Sequence, residues 1–234
     1  MSDIPSSPAP AFEGVRPIVR PSLTETVAGQ IKTMIVSGKL EFGHHLTERR
    51  LSEQFAVSKT PIREAMLSLA TEGLIEIRPR QGTFVFSLTE QEIAQITDVR
   101  RVLEKGAMHS AMRHDAAGLL AALHANLAAC TDLAEGSNAA ADYRSIDNSY
   151  HALFFDFAHN PYIARAYEAV ACKVRALRNR LTFPASFIRV SLTQHAEIVR
   201  LLDEGHVGQA AAQLDYHIAA SFSERAKRLL ASPG

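Results

Sequence analysis

Four side chains that can bind a metal ion lie at positions that three predicted helices can bring together. Asp147 and His151 are four residues apart, so one helix presents both on the same side, along the edge of its apolar stripe. That stripe consists of Tyr143, Ile146, Tyr150, Leu153 and Phe157. His195 falls within the apolar stripe of a second predicted helix, and His217 lies at the margin of the apolar side of a third. Carboxylate and imidazole donors arranged in this way suit a divalent transition metal inside a helical bundle. Each histidine taken alone is more often an ordinary core or surface residue.

An arginine interrupts another apolar stripe. Arg100 lies on the same side of its predicted helix as four apolar residues: Ile93, Ile96, Leu103 and Ala107. A buried guanidinium needs an anionic partner. That partner is either an acidic side chain of a neighbouring helix or the carboxylate of a small ligand beside the metal. A snorkelling arginine is the third alternative, and the cations Arg175, Arg178 and Arg180 cannot be ranked by spacing.

Residues 46–67 predict two short helices joined by a tight turn. The second helix has a buried side, because Ile62, Ala65, Met66 and Leu69 recur at helical spacing. Lys59, Thr60 and Arg63 project from a different side, close to the N-terminus of that helix. A packed back and a cationic, hydroxyl-bearing front are what entry into a DNA major groove requires. An ordinary helical hairpin with a solvated charged face is compatible with the same spacing.

The elements around this hairpin predict a winged helix-turn-helix. Three helices precede residue 74, and their N-caps are Ser22, Thr47 and Ser58, the first forming a capping box with Glu25. Residues 74–77 and 83–86 read as two strands, joined by a turn that contains Arg78, Arg80 and Gly82. Glycine would let the backbone of this wing approach a phosphate or the minor groove closely.

Beyond residue 88 the sequence predicts helices only, and a capping box of Thr89 and Glu92 begins the first of them. The predicted ranges are 89–113, 115–135, 138–158, 161–180, 187–204 and 206–230. Short connections between amphipathic helices indicate an antiparallel bundle. The fold class is therefore mainly α, with a winged helix-turn-helix at residues 21–86 and an all-helical domain at residues 89–231. Residues 1–20, rich in proline and serine, predict a disordered tail.

Composition limits the possible functions. The 234 residues carry 25 Lys and Arg against 25 Asp and Glu, so no global basic field indicates nucleic acid. DNA contact must come from local clustering, and six cations do cluster: Arg49, Arg50, Lys59, Arg63, Arg78 and Arg80. No apolar run approaches a membrane span, and no signal-peptide core is present. Cys130 and Cys172 lack metal-type spacing, so we expect reduced core thiols in a cytoplasmic protein.

Several motifs resemble known families. The N-terminal domain resembles GntR-family bacterial transcription regulators through Leu46-Thr47-Glu48-Arg49, Val57-Ser58-Lys59-Thr60-Pro61-Ile62-Arg63-Glu64-Ala65, Glu72-Gly73-Leu74 and Arg80-Gln81-Gly82-Thr83. The remainder resembles the FCD effector domain of the FadR subfamily. Its motifs are Asp147-x-x-x-His151, His195-x-Glu197-Ile198, His217 and Asp98-x-Arg100-x-x-Leu103-Glu104. Six rather than seven effector helices would be similar to the VanR-type branch.

The resemblance implies a surface that contacts DNA. The matching positions are Arg49, Ser58, Lys59, Thr60 and Arg63, with Gly82 at the tip of the wing. Two departures are present, because the family usually has arginine at Lys59 and glycine at Ala56. Lysine turns a bidentate contact into a point charge. The resemblance also implies a homodimer that reads a palindromic operator in double-stranded DNA.

The resemblance further implies one divalent transition metal per chain, held by Asp147, His151, His195 and His217. Zinc is the first candidate, with nickel or manganese as alternatives. A small carboxylic acid would bind this metal together with Arg100 and control operator affinity, in a regulator that is more often a repressor than an activator. Two alternatives stay open. The metal is structural or is itself the sensed signal, or it activates water in a hydrolase rather than in a regulator.

Overall fold

A computed structural model of the chain describes residues 21–131, 139–181 and 184–220. Within these ranges the protein is mainly α, as predicted, with nine helices and one small sheet. The predicted tail at residues 1–20 lies outside the described residues. So do the predicted breaks at Gly136 and Phe183, and the predicted continuation of the last helix to residue 230. None of the helices in the described ranges is both long and apolar enough to cross a membrane.

Three helices and three strands form the N-terminal unit. In chain order they are α1 (Leu23–Ser37), β1 (His45–Leu46), α2 (Glu48–Phe55), α3 (Lys59–Thr71), β2 (Ile75–Arg78) and β3 (Gly82–Val85). The predicted capping box of Ser22 and Glu25 starts α1, and Gly38 ends that helix with φ 84°. Ala56, between α2 and α3, adopts the left-handed conformation with φ 53°. The turn that the family usually makes with glycine is thus kept, although it places a Cβ in a region that alanine disfavours.

The sheet differs from the predicted two-stranded ribbon. A third strand, β1, pairs antiparallel with β3 and gives the order β1-β3-β2. Two residues are too few to show an alternating pattern, so the sequence could not reveal this strand. Ser58 does precede α3 as predicted, but its side chain makes no capping hydrogen bond. The hydroxyl of Ser58 is exposed at the N-terminus of that helix.

Six further helices lie in the described part of the chain after the wing. They are α4 (Glu90–His114), α5 (Ala116–Thr131), α6 (Ala139–Asp156), α7 (Pro161–Arg180), α8 (Ala185–Asp203) and α9 (Val207–Ile218). The predicted capping box of Thr89 and Glu92 starts α4. Helix α4 packs against α5, α6, α7 and α9, and α8 packs against α5 and α9. Helix α4, the first and longest helix of the bundle, is therefore at its centre.

Two large apolar cores and a small cluster around Tyr143 and Leu181 hold these elements. One fills the N-terminal unit and continues into α7, where Cys172, Val174, Ala176 and Leu177 belong to it. The other fills the bundle between α4, α5, α6, α8 and α9. Both cysteines are free thiols and are buried, one of them in the first core.

Candidate metal centre and nucleic-acid interface

The four predicted ligands meet inside the bundle. One donor atom from each of Asp147, His151, His195 and His217 lies within 4.8 Å of the others. His195 Nε2 is 3.1 Å from His217 Nε2 and 3.6 Å from Asp147 Oδ1, while His151 Nε2 is 3.9 Å from the same oxygen. Among the described residues this is the one group of at least three such donors that could hold a metal.

These donors lie deeper than the sequence pattern indicated. Helix α6 was expected to carry Asp147 and His151 along the edge of its apolar stripe. In the structure both residues are buried, and the buried side of α6 runs through Tyr143, Tyr150 and Phe154. The stripe was predicted from apolar residues alone. Asp147 and His151 are polar, so this pattern could not show that they are fully buried.

Hydrogen bonds fix the orientation of two imidazoles. Glu104 Oε2 lies 2.6 Å from His151 Nδ1, and Gln194 Oε1 lies 2.8 Å from His217 Nδ1. Because these oxygens accept, each Nδ1 carries its proton and each Nε2 keeps a lone pair directed at the cluster. The ring of Tyr150 stacks on His195 with 3.8 Å between the ring centroids. Such outer contacts commonly orient the ligands of a metal site.

Burial also sets the charge state of the cluster. Removal from water lowers the pKa of His195 to about 4 and lowers the pKa of His151 and His217 well below the ordinary value. Burial alone would raise the pKa of Asp147, but the Arg178 guanidinium and the two nearest imidazoles hold that pKa below its usual value. Neutral imidazoles and one carboxylate are the protonation states that metal ligands need.

The donor set fits a divalent transition metal. Ligand atoms around a tetrahedral zinc ion are about 3.4 Å apart, since each lies about 2.0–2.2 Å from the metal. Three of the separations, 3.1, 3.6 and 3.9 Å, are within about half an ångström of that value, and all four donor atoms lie within 4.8 Å of one another. The buried Nε2 of His151 has no hydrogen-bond partner among the described residues. A buried lone pair of this kind is explained if a cation accepts it.

Arg100 is buried, as its place in the stripe predicted, and its partner is Glu104 one turn along α4. The Nε of Arg100 donates to Glu104 Oε1 over 2.8 Å, and the two side chains are 1% and 0% exposed. Glu104 thereby joins Arg100 to His151. This partner is an acidic side chain, as one alternative predicted, although it lies on the same helix rather than on a neighbour. Tyr167 of α7 also forms a hydrogen bond with Arg100.

The second candidate surface lies at the N-terminus of α3. Its predicted buried side is buried, from Ile62 to Leu69. All five predicted DNA-contacting side chains, those of Arg49, Ser58, Lys59, Thr60 and Arg63, are exposed. They occupy α2 and the start of α3, so a single patch carries cations and hydroxyl groups together.

Two contacts on this surface were not predicted. Arg63 makes a bidentate ion pair with Glu48 of α2, with distances of 2.8 and 2.9 Å. A Cβ added at Gly82 would lie 2.4 Å from Nε2 of His45, and the φ of this residue is +119°. Glycine is thus needed at position 82 because a larger residue would clash with the His45 imidazole inside the sheet. This reason is independent of any contact between the wing and DNA.

Comparison with known protein families identifies the chain. The sequence profile described as bacterial regulatory proteins of the gntR family matches residues 23–85, and the FCD domain profile matches residues 95–220. The chain belongs to the GntR family and carries an FCD domain. Both matched segments lie within the regions where the resemblance was noted, and relatives with this combination are transcriptional regulators.

Two relatives align with most of this GntR-family chain. The "Probable D-xylose utilization operon transcriptional repressor" of Paenarthrobacter nicotinovorans is 29% identical over 83% of the chain and 87% of its own length. The Nta operon transcriptional regulator of Aminobacter aminovorans is 27% identical over 82% and 89%. The gluconate operon transcriptional repressor of Bacillus licheniformis is 45% identical, but the match covers only 36% of the chain and 35% of that protein.

Solved structures share the fold. A GntR transcriptional regulator from Rhodococcus sp. RHA1 superposes with a TM-score of 0.70 at 23% identity, covering 90% of the chain and 99% of that structure. Escherichia coli McbR/YncC superposes with a TM-score of 0.73 at 20% identity, covering 88% and 98%. At these identities the likeness establishes the arrangement of elements and nothing more.

Sequence reasoning missed the residues that support the ligands of this GntR-family protein. Glu104 lies one turn from Arg100 and could have been found from that spacing, which favours an ion pair. Gln194 adjoins His195 but orients His217 of the following helix, and no local pattern indicates that contact. Arg178 ion-pairs with Asp147 over 2.5 Å. Its place on α7 could not be distinguished from those of Arg175 and Arg180.

Proposed function

We propose that this GntR-family regulator is a cytoplasmic repressor that binds operator DNA as a homodimer. A divalent metal at Asp147, His151, His195 and His217, together with a small carboxylic acid, would control operator affinity. The observation that carries this proposal is the buried cluster itself, in which four donor atoms face one another. When bound, the metal would supply a Lewis-acidic site, and the carboxylate of the effector would add to the four protein ligands as a further ligand.

The exposed patch on α2 and α3 supports DNA binding. Lys59, Thr60 and Arg63 are exposed at the first two turns of α3, where a recognition helix contacts base edges and phosphates. Arg63 is held against Glu48, so its guanidinium is already oriented before DNA arrives. A two-fold dimer would place two copies of α3 on successive half-sites.

The charges around the cluster support a carboxylate as the effector. Arg100 and Arg178 are both close enough to lower the pKa of His151 by their charge. Each arginine is paired with a carboxylate, Arg100 with Glu104 and Arg178 with Asp147. These four charges cancel, so a divalent metal would make the cluster positive toward an anion. One nitrogen of Arg100, Nε, already donates to Glu104. Arg100 would therefore act on the effector through its charge as well as through direct hydrogen bonds.

Metal content tests the cluster. Purified full-length protein is expected to hold about one zinc, nickel or manganese ion per chain by elemental analysis. The double variant His195→Ala and His217→Ala should hold none. His124→Ala is the matched control, because His124 is an exposed histidine paired with Asp203 on the surface. Stoichiometric metal retained by the double variant would refute the site.

DNA binding is tested with duplexes selected from a random library by the protein. Fluorescence anisotropy should show weaker binding of both selected and random duplexes by Arg63→Ala, because a phosphate-directed cation acts on every sequence. Arg200→Ala is the control of equal charge, because Arg200 is an exposed arginine of α8. Unchanged binding by Arg63→Ala would show that Arg63 does not contact DNA. Light scattering of the same sample would give its molar mass and so test whether it is a dimer.

Two other functions use the same cluster. A regulator that senses the metal itself would change its DNA affinity on metal addition alone, whereas an effector-controlled one needs the acid as well. Separate titrations of metal and of a panel of carboxylic acids distinguish these cases. A hydrolase would need a general base, and the nearest buried carboxylate, Glu104, is already bonded to Arg100 and His151. Turnover of hydroxy acids and esters by the metal-loaded protein would establish the enzyme instead.

A further inference from the structure

The last turn of α7 touches the candidate metal centre. Arg178 is buried there, and its Nη2 lies 2.5 Å from Asp147 Oδ2. Its Nη1 donates to Asn148 Oδ1 over 2.9 Å, so the guanidinium holds two consecutive residues of α6. The other oxygen of Asp147, Oδ1, faces the histidines. Arg178 and the metal would therefore bind opposite oxygens of one carboxylate.

The next two residues of the same turn hold the DNA-binding unit. Asn179 Nδ2 donates to the carbonyl of Val36 over 2.7 Å. Arg180 donates to the carbonyl of Ile35 over 3.1 Å and to that of Leu40 over 2.6 Å. These carbonyls belong to the end of α1 and the loop after it, and the Ile35 carbonyl also accepts from the Gly38 N–H that caps the helix.

Arg180 makes further contacts with this loop. Its guanidinium lies 4.0 Å from the centre of the Phe42 ring and 3.4 Å from the Glu41 carboxylate. The side chain is only 8% exposed. A guanidinium that is stacked, ion-paired and bonded to two carbonyls fixes the loop between α1 and β1 on the end of α7.

Consecutive residues of an α-helix point about 100° apart, so neighbours on one turn contact different partners. We propose that Arg178, Asn179 and Arg180, the α7 link, couple the occupancy of the metal centre to the docking of the DNA-binding unit. This inference rests on the metal site proposed above. It assigns to three named residues the contact between that site and the end of α1.

A physical reason for coupling lies in the separations within the cluster. Asp147 Oδ1 is 3.9 Å from His151 Nε2, wider than the roughly 3.4 Å between ligands of a tetrahedral metal. Closing this gap would bring the Asp147 carboxylate and the His151 imidazole about half an ångström closer together, and His151 is held on its other side by Glu104. Arg178 is bonded to the carboxylate and belongs to a closely packed helix, so movement of the carboxylate would be passed to α7.

Amide hydrogen exchange tests the link in the full-length chain. One equivalent of zinc chloride should slow exchange at residues 35–42 at least threefold, because the end of α7 becomes fixed. Asn179→Ala and Arg180→Lys should lose most of this slowing and yet bind one zinc, since neither side chain contacts the cluster. Arg165→Gln, an exposed arginine of the same helix, should respond like the unmodified chain.

A fluorescent reporter gives a second measurement. The chain has no tryptophan, so Phe42→Trp places a single indole beside Arg180. Zinc should shift its emission, and Arg180→Lys in the same background should abolish the shift. If zinc binds stoichiometrically but exchange and emission do not change, the α7 link is refuted and the metal site stands. A response undiminished in both link variants also refutes it, and absence of bound zinc overturns both proposals.

Discussion

Glu104 accepts two hydrogen bonds that glutamine cannot both accept. Arg100 Nε donates to one oxygen over 2.8 Å, and His151 Nδ1 lies 2.6 Å from the other. In Glu104→Gln, one of these partners meets an NH₂ group instead. If that partner is Arg100, two donors face each other in the core. If it is His151, the imidazole must take the other tautomer and place a proton on the Nε2 that faces the cluster.

The expected cost follows from burial. Glu104 is 0% exposed and Arg100 is 1% exposed, so the substitution leaves a buried cation without its counter-charge. Losing one partner of a buried ion pair costs about 3–5 kcal/mol. For a chain of this size each kcal/mol lowers the melting temperature by about 2–4 °C, so the metal-free variant should melt roughly 6–20 °C lower. Zinc affinity should fall about 10–100-fold, as when other outer partners of metal ligands are removed.

Thermal unfolding followed by circular dichroism and zinc competition against a chelating dye measure the two effects. Glu197→Gln is the control, because Glu197 is an exposed carboxylate paired with an exposed arginine, Arg200. It should change neither quantity. A melting temperature for Glu104→Gln within 2 °C of the parent, with unchanged zinc affinity, would refute the reasoning.

A double substitution separates the two roles of Glu104. Arg100→Met with Glu104→Leu removes both buried charges and the acceptor of His151, and replacing a buried ion pair by apolar residues is often neutral for stability. The double variant should recover most of the lost melting temperature. Its zinc affinity should stay low, because His151 still lacks a carboxylate to orient it. Recovery of zinc affinity together with stability would show that His151 needs no such partner.

Three smaller changes follow from the DNA-binding unit. Ala56→Gly should stabilise the protein by about 0.5–1 kcal/mol in urea unfolding, because φ 53° strains alanine and not glycine; a loss of stability would contradict this. Gly82→Ala should destabilise the wing by about 1–3 kcal/mol, and His45→Ala should relieve only the steric part, since φ +119° persists. Lys59→Ala should reduce the slope of log affinity against log salt by about 0.9 if Lys59 meets a phosphate, which anisotropy at several salt concentrations measures.

The sequence predicted those features that local patterns encode. Capping boxes at Ser22 and Thr89 marked two helix starts correctly, because each depends on residues only three positions apart. The pair Asp147 and His151 was readable because one helical turn places both on one side. His195 could be recognised because it is a titratable residue within an otherwise apolar stripe.

The contacts that were missed join distant parts of the chain. Gln194 orients His217 across 23 positions, and Arg180 reaches Leu40 across 140. Which arginine of α7 faces which partner depends on how the helices are rotated and offset, and amphipathic periodicity fixes only the buried side. The strand β1 was missed for a different reason, because two residues carry no period.

The core that extends from the N-terminal unit into α7 has a consequence for cooperativity. Cys172, Val174, Ala176 and Leu177 pack in the same cluster as the interior of the winged helix. An isolated fragment ending at the wing would expose the apolar side of α1 that α7 covers. The intact chain is therefore expected to unfold in one transition rather than two. A chimera that exchanges DNA-binding units between regulators would have to carry a matching surface of α7 with the new unit.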